Sequence, residues 1–135
     1  MTDYAIQIFH DALKTGQYTN YLGPDTRLPM MYLDDCLRSV VEFMELPEEG
    51  LRARTYNVAG VSFTPQELGE EIRKFVPHFS QDYCPDHRQA IAESWPEVFD
   101  DTAARLDWNW RPAYDLETMV RTMFHDLRLL YQEPE

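Results

Sequence analysis

The chain has 135 residues, of which 44% are hydrophobic and 13% aromatic, and its formal net charge is −12. This composition predicts one compact domain with a real core and excludes an intrinsically disordered chain. The charge argues against nucleic acids and anionic membranes as partners, because both attract clustered Lys and Arg, and no apolar run approaches the roughly 18 residues that would span a bilayer.

The N-terminal residues predict a helix with one buried face. Thr2 or Asp3 can accept hydrogen bonds from the first free backbone N–H groups, and Gly16 would end the helix. The expected inner face consists of apolar residues at helical spacing: Ala5, Ile8, Phe9, Ala12 and Leu13.

Two short strands are predicted next, at residues 18–22 and 28–33, with a turn at residues 23–25 between them. Pro29 has no backbone N–H to donate, so its position is expected at the start of a strand or at the edge of a sheet.

A second helix is predicted to begin where Asp34 or Asp35 can cap it and to end before Pro47. The residues expected to face the core are apolar and recur at helical spacing: Cys36, Leu37, Val40, Val41 and Met44. Cys36 and Cys84 show no Cys-x-x-Cys spacing, so both are expected to be reduced thiols, buried or incidental, in a reducing compartment.

The third helix has the clearest start in the sequence. Thr64 is a capping residue, Pro65 suits the first helical position, and Glu67 can return a hydrogen bond to the cap. Its expected inner face consists of Leu68, Ile72 and Phe75. Strands are predicted on either side of this helix, at residues 54–58 and, more weakly, 79–83.

All three tryptophans lie between residues 88 and 112. Trp108 and Trp110 stand close together beside a proline and are expected to plug the core. Trp95 follows no periodic pattern, so it either plugs the core or forms the wall of a pocket.

This stretch is predicted as two loops around a short helix at residues 103–107, which Thr102 would cap and Asn109 would end. Asp115 would open a last long helix, and residues 132–135 would form a frayed tail. Its expected inner face is Leu116, Met119, Val120, Met123, Phe124, Leu127 and Leu130. The whole pattern describes an α/β chain, and because no glycine-rich turn follows a strand, an independent dinucleotide-binding unit is not expected.

No complete active site is visible in the sequence. The histidines are far apart and are not expected to bind metal: His10, His78, His87 and His125. Two carboxylate pairs are expected to cap helices rather than to bind a cation or act as acid and base: Asp34 with Asp35, and Asp100 with Asp101. Catalytic, cofactor-binding and metal-ligating residues are therefore expected to be absent from this chain.

Four segments nevertheless resemble known signatures. They are a hydrophobic-x-Asp-Asp motif at residues 31–35, Tyr-Asn-Val-Ala at 56–59, the helix start at 62–68, and an Asp-x-Thr-x-Ala to Trp-x-Pro segment at 100–112. Together they resemble the C-terminal portion of the extended short-chain dehydrogenase/reductase and epimerase family. Residues 24–32 and 88–92 are similar to its short-chain L-threonine 3-dehydrogenase branch, with Glu93 in place of the usual Asp.

The resemblance implies a C-terminal substrate-binding lobe, here residues 1–131, of an enzyme that oxidises L-threonine with NAD⁺. The family's glycine-rich nucleotide loop and its catalytic Tyr-x-x-x-Lys are absent from this sequence. NAD is therefore implied for the full-length enzyme and not for this chain alone. The resemblance also implies that Thr2 and Trp95 contact the substrate, and a location in the mitochondrial matrix of a eukaryote or in the cytoplasm of a bacterium.

Two other interpretations remain open. The chain resembles the substrate lobe of a nucleotide-sugar epimerase through the same signatures, although such lobes usually hold a diphosphate with arginines. It would otherwise be a truncated, non-catalytic binding protein. Because the lobe normally packs on a cofactor domain, apolar surface is expected around the first helix and Trp95, with possible homo-oligomers formed through that surface.

Overall fold

A computed structural model of the chain describes residues 3–132 and shows a mixed α/β fold. Its helices and strands, in chain order, are α1 (Tyr4–Lys14), β1 (Gln17–Asn20), β2 (Leu28–Met30), α2 (Leu33–Glu45), β3 (Val61–Phe63), α3 (Pro65–Arg73), β4 (Ser80–Tyr83), α4 (His87–Glu93), α5 (Thr102–Trp108) and α6 (Leu116–Gln132). None of the helices in this part of the chain is long and apolar enough to cross a membrane.

The strands form two separate pairs. β1 lies parallel to β4, with Tyr18 opposite Gln81. β2 lies antiparallel to β3, with Pro29 opposite Ser62, so this proline sits in a sheet of only two strands, as its missing donor requires. The strand predicted at 54–58 is wrong, because those residues form no ladder and β3 begins three residues further along the chain.

The core lies between α1, α3 and α6. Phe9 and Phe124 meet edge to face with ring centroids 5.3 Å apart, and Phe75 stacks on Phe124 at 5.6 Å. The inner face predicted for α1 is confirmed, since Ile8, Phe9 and Ala12 are buried and Ala5 and Leu13 pack against the core. In α6, six of the seven predicted residues pack into the core or against it, whereas Leu130 is wrong, being 68% exposed.

The orientation predicted for α2 is also wrong. Its apolar residues Leu37, Val40, Val41 and Met44 are all more than half exposed, and Met44 reaches 78%. Cys36 on the same helix is exposed and free, as is Cys84, so neither thiol is buried. The helix instead turns its polar residues Asp35 and Ser39 toward the rest of the chain.

The helix ends agree with the sequence at two clear positions. The Thr64 hydroxyl accepts from the Glu67 N–H while the Glu67 carboxylate accepts from the Thr64 N–H, which completes the predicted capping box. Asn109 ends α5 in the left-handed conformation at φ 59°, as its residue type indicated.

Other helix starts differ from the prediction. α2 begins after Tyr32, and neither aspartate caps it. Asp101 precedes α5 and Thr102 is its first residue, although Thr102 had been expected as the cap. Helix α4 was not predicted, because its 7 residues, about two turns, offer too few apolar positions for a period to be recognised.

Candidate functional site

A short helix and a turn form the two sides of the candidate site. The Asp86 carboxylate accepts from the Arg88 N–H and starts α4. After the last turn of α4, the Trp95 N–H donates to the Ala92 carbonyl, which holds the indole directly beyond the end of the helix. The turn at residues 23–27 faces this helix.

Gln89 fastens the turn to the helix. Its Oε1 accepts from the Gly23 N–H at 2.8 Å, and its Nε2 lies 2.8 Å from both the Thr26 hydroxyl and the Glu93 carboxylate. A single side chain on the helix thereby fixes the spacing between the two walls, because both of its polar atoms are bonded to the turn and Nε2 is also bonded to Glu93 on its own helix.

The space between the walls is a polar cavity of about 340 Å³. It is lined by Gly23, Pro24, Asp25, Thr26, Arg27, Gln89, Ala92, Glu93, Trp95 and Glu97. The one cation among these residues, Arg27, is already engaged, since its guanidinium donates to the Glu67 carboxylate and to the Ser62 carbonyl. Three carboxylates remain, so the cavity favours a cationic group such as an ammonium.

A second cavity, of about 200 Å³, lies on the other side of Trp95. It is mainly apolar, and its lining residues include Tyr4, Tyr21, Leu22, Leu28, Met30, Ile91 and Trp95, with Asp3 and Arg88. Trp95 is 57% exposed and lines both cavities, so it forms a pocket wall and not a core plug.

Arg88, at the edge of the apolar cavity, is bound within the chain. Its guanidinium donates to Oδ1 and Oδ2 of Asp86 and lies 3.3 Å from the centroid of the Tyr21 ring. This contact lowers the pKa of Asp86 to about 2. The N–H groups of the guanidinium are bonded to Asp86 and its planar face lies on Tyr21, so Arg88 is not free to bind a diphosphate.

The remaining predicted site residues lie apart from this pair of cavities or outside the described chain. Thr2 lies outside the residues that the structure describes, and its neighbour Asp3 lines the apolar cavity. Trp110 is fully buried as predicted, and its Nε1–H donates to the Ala59 carbonyl at 2.9 Å. Trp108 is only half-buried and packs on Phe43.

The two aspartate pairs do not form a cation site. Asp35 binds backbone N–H groups of Ala113 and Tyr114 instead of capping its own helix, and Asp100 accepts from the Thr102 N–H. Within residues 3–132, no cluster of three or more His, Cys, Asp or Glu side chains could hold a metal ion.

A dinucleotide does not fit the described residues. The five glycines, Gly16, Gly23, Gly50, Gly60 and Gly69, are scattered through the sequence, and none of them leads from a strand into the start of a helix in the way that a pyrophosphate cradle requires. Gly60 serves close packing, since a Cβ there would lie 2.6 Å from the Met30 carbonyl oxygen.

Comparison with known proteins gives relatives that are much longer than this chain. A mitochondrial L-threonine 3-dehydrogenase of Bos taurus is 55% identical over 92% of the chain, which covers 34% of that relative. An uncharacterized epimerase/dehydratase of Staphylococcus haemolyticus is 41% identical over 90% of the chain, and the match covers 39% of that relative. No protein-family model matches.

A solved structure shows the same fold. The crystal structure of L-threonine dehydrogenase from Phytophthora infestans superposes with a TM-score of 0.92 at 48% sequence identity, over 94% of this chain and 41% of that protein. The chain thus spans between a third and about two fifths of the length of these relatives.

Proposed function

This chain is homologous to part of the L-threonine 3-dehydrogenases and epimerase/dehydratases of the extended short-chain dehydrogenase/reductase family, and we propose that it is the C-terminal, substrate-binding part of an NAD-dependent L-threonine 3-dehydrogenase. The reaction would convert L-threonine to 2-amino-3-ketobutyrate. The observation that carries the proposal is the position of Trp95 between an acidic cavity and an apolar one.

An amino acid with a short side chain suits this arrangement. Its ammonium would be attracted by Glu93, Glu97 and Asp25, which line the polar cavity without a free cation among them. Trp95 would provide an apolar wall that excludes water from the reacting carbon. Thr2, which lies beside the described residues, would add a hydroxyl or backbone contact.

The chain supplies only this binding part of the reaction. Bound NAD⁺ would accept the hydride in the whole enzyme, and the described residues do not fit that cofactor. No Tyr in the sequence has a Lys four residues later, so the family's general base is also missing from this chain. We therefore propose that the chain does not catalyse the oxidation alone.

A chimera tests the assignment. The corresponding portion of the Phytophthora infestans enzyme is replaced by this chain, which it matches at 48% identity. We expect NADH formation with L-threonine, and we expect Trp95→Ala in the chimera to lower kcat/KM by about tenfold or more, because the water-excluding wall is lost.

The control is Trp108→Phe, since that ring lies outside both cavities and should leave kcat/KM nearly unchanged. A folded chimera that is stabilised against heat by UDP-sugars but not by L-threonine would replace the proposal with the epimerase interpretation.

A further inference from the structure

One side chain makes every hydrogen bond that joins α4 to another element. Among residues 3–132, the hydrogen bonds from residues 87–93 to another helix, strand or turn are those between the Gln89 amide and the turn at residues 23–26. The other hydrogen bonds of α4 stay within the helix or run to residues directly beside it in the sequence. Within this part of the chain, the hydrogen-bonded position of α4 against the turn therefore depends on Gln89.

The turn that receives Gln89 is itself fixed to the body of the chain. The Gln66 N–H at the start of α3 donates to the Pro24 carbonyl at 3.1 Å. The closing bond of the turn, from the Thr26 N–H to the Gly23 carbonyl, is 3.3 Å long, which is longer than the usual range of about 2.7 to 3.2 Å. Because Gln89 binds both of these end residues, it reinforces the turn and joins α4 to α3 through it.

The chemistry of its neighbours fixes the orientation of the Gln89 amide. A backbone N–H can only donate, so the Gly23 N–H must face the carbonyl oxygen Oε1, as it does at 2.8 Å. An ionised carboxylate can only accept, so Glu93 must face Nε2, also at 2.8 Å. The Thr26 hydroxyl can do both, and it lies 3.2 Å from Oε1 and 2.8 Å from Nε2. Rotating the amide by half a turn would set donor against donor and acceptor against acceptor, so the side chain has a single bonded orientation.

We propose that Gln89 is a positioning residue for substrate binding, which holds the Glu93 carboxylate in place for the ammonium of an amino acid. The inference rests on the proposed function, because it takes the polar cavity lined by both residues as the place where the ammonium binds. The Nε2–H donates to Oε1 of Glu93 and leaves Oε2 without a hydrogen-bond donor among residues 3–132. The second carboxylate oxygen is thereby available to the ligand.

The physical basis is the ordering of a mobile side chain before the ligand arrives. An exposed glutamate ordinarily samples several rotamers and loses that freedom when it binds a ligand. Glu93 is exposed, and within the described residues its carboxylate makes a hydrogen bond to Gln89 and to no other group. A carboxylate that is already held loses less conformational entropy on binding an ammonium, so the affinity is higher.

Hydrogen exchange on the purified chain tests the contact with the turn without an assay of activity. Among residues 3–132, Gln89 Oε1 is the acceptor of the Gly23 N–H, so we expect this amide to be protected and to exchange about tenfold faster or more in Gln89→Met. Methionine is also unbranched and removes both polar atoms. The matched control is Gln7→Met, because Gln7 also donates to a carboxylate four residues further on, Asp11 at 2.8 Å, but lies on α1 and lines neither cavity.

Kinetics of the chimera with the Phytophthora infestans enzyme test the role in substrate binding. Gln89→Met should raise the KM for L-threonine by about tenfold and change kcat by less than about threefold, because the ammonium contact is present in the ground state and in the transition state alike. Glu93→Gln should raise KM at least as much, since it removes the charge. When Glu93→Gln is already present, Gln89→Met should add little, because it acts through Glu93. Gln7→Met should leave both constants nearly unchanged.

Circular dichroism shows whether each variant keeps its helices. An unprotected Gly23 amide in the unsubstituted chain would overturn the inference, since the hydrogen bond to Gln89 would then not be formed. An active chimera in which Gln89→Met leaves KM unchanged, or in which its effect on KM simply multiplies that of Glu93→Gln, would also overturn the inference and leave the proposed function in place. A chimera that forms no NADH with Gln89 and Glu93 intact would overturn the proposed function, and the role of Gln89 in substrate binding with it.

Discussion

Asp35 is the residue that ties α2 to the loop before α6. Its side chain is 1% exposed, and its oxygens accept from the Ala113 and Tyr114 N–H groups at 3.0 Å and from the Arg38 guanidinium at 2.9 Å. Arg38 in turn lies 4.4 Å from the centroid of the Trp110 ring and donates to the Arg111 carbonyl. One carboxylate therefore satisfies the backbone of a distant loop and orients the cation that covers a core tryptophan.

Asp35→Ala should lower the free energy of unfolding by about 3 kcal/mol, since it leaves two backbone donors and a guanidinium without their acceptor. Urea unfolding monitored by tryptophan fluorescence measures the change. Asp34→Ala is the control, because the neighbouring carboxylate is exposed and, among residues 3–132, accepts only from the Tyr114 hydroxyl, so we expect a change within about 0.5 kcal/mol. Equal losses of unfolding free energy in the two variants would mean that the buried Asp35 carboxylate contributes no more to stability than the exposed Asp34 carboxylate.

At the scale of the element, α3 is fixed by its own first turn. The capping box at Thr64 satisfies two backbone donors, and Pro65 fits the first helical position, where no N–H is needed. Burial acts to raise the pKa of Glu67, but its bonds to the Thr64 N–H and to Arg27 outweigh that effect and lower it. The ionised carboxylate that the box requires is therefore favoured.

Thr64→Ala should cost about 1 kcal/mol of unfolding free energy, the usual loss when an N-cap hydroxyl is removed. Thr64→Ser should retain most of the stability, because it keeps the hydroxyl that accepts from the Glu67 N–H. Thr55→Ala is a control at an exposed threonine outside every helix. The measurement is again chemical unfolding, and a serine variant as unstable as the alanine variant would show that packing of the Thr64 methyl group, and not capping, is what matters.

Helix α2 shows how an element can be correctly located and wrongly oriented. Its 13 residues contain an apolar stripe at helical spacing, as the sequence indicated, but that stripe points away from the core. Periodicity reports that one face of a helix avoids water, and it carries no information on which molecule or which part of a chain covers that face.

At the scale of the whole molecule, the chain spans between a third and about two fifths of the length of its relatives, and we propose that it is their substrate-binding part. We expect the purified 135-residue chain to form no NADH from L-threonine above the rate of a protein-free control, since it lacks a general base and a nucleotide cradle. Absorbance at the nicotinamide band over several hours measures this. The intact Phytophthora infestans enzyme in the same assay shows that the conditions support turnover, and turnover by the chain that a substitution within it abolishes would contradict the expectation.

The sequence by itself determined those features that depend on near neighbours. The capping box at Thr64, the left-handed end at Asn109 and the inner faces of α1 and most of α6 are set by residues within one or two helical turns. The same is true of the segments that resemble the family, since these are local strings of residues. Short-range hydrogen bonds and helical spacing decide such features before any distant contact forms.

Only the tertiary structure decided the features that join distant parts of the chain. It placed Gln89 against the turn at residues 23–27 and Trp95 between two cavities. It also brought the Asp35 carboxylate within hydrogen-bond distance of the Ala113 N–H, 78 residues away along the sequence. It also left residues 54–58 unpaired, although their composition is typical of a strand. A strand exists only where a second backbone meets its N–H and C=O groups, and a cavity only where separate elements meet, so neither can be determined from local sequence.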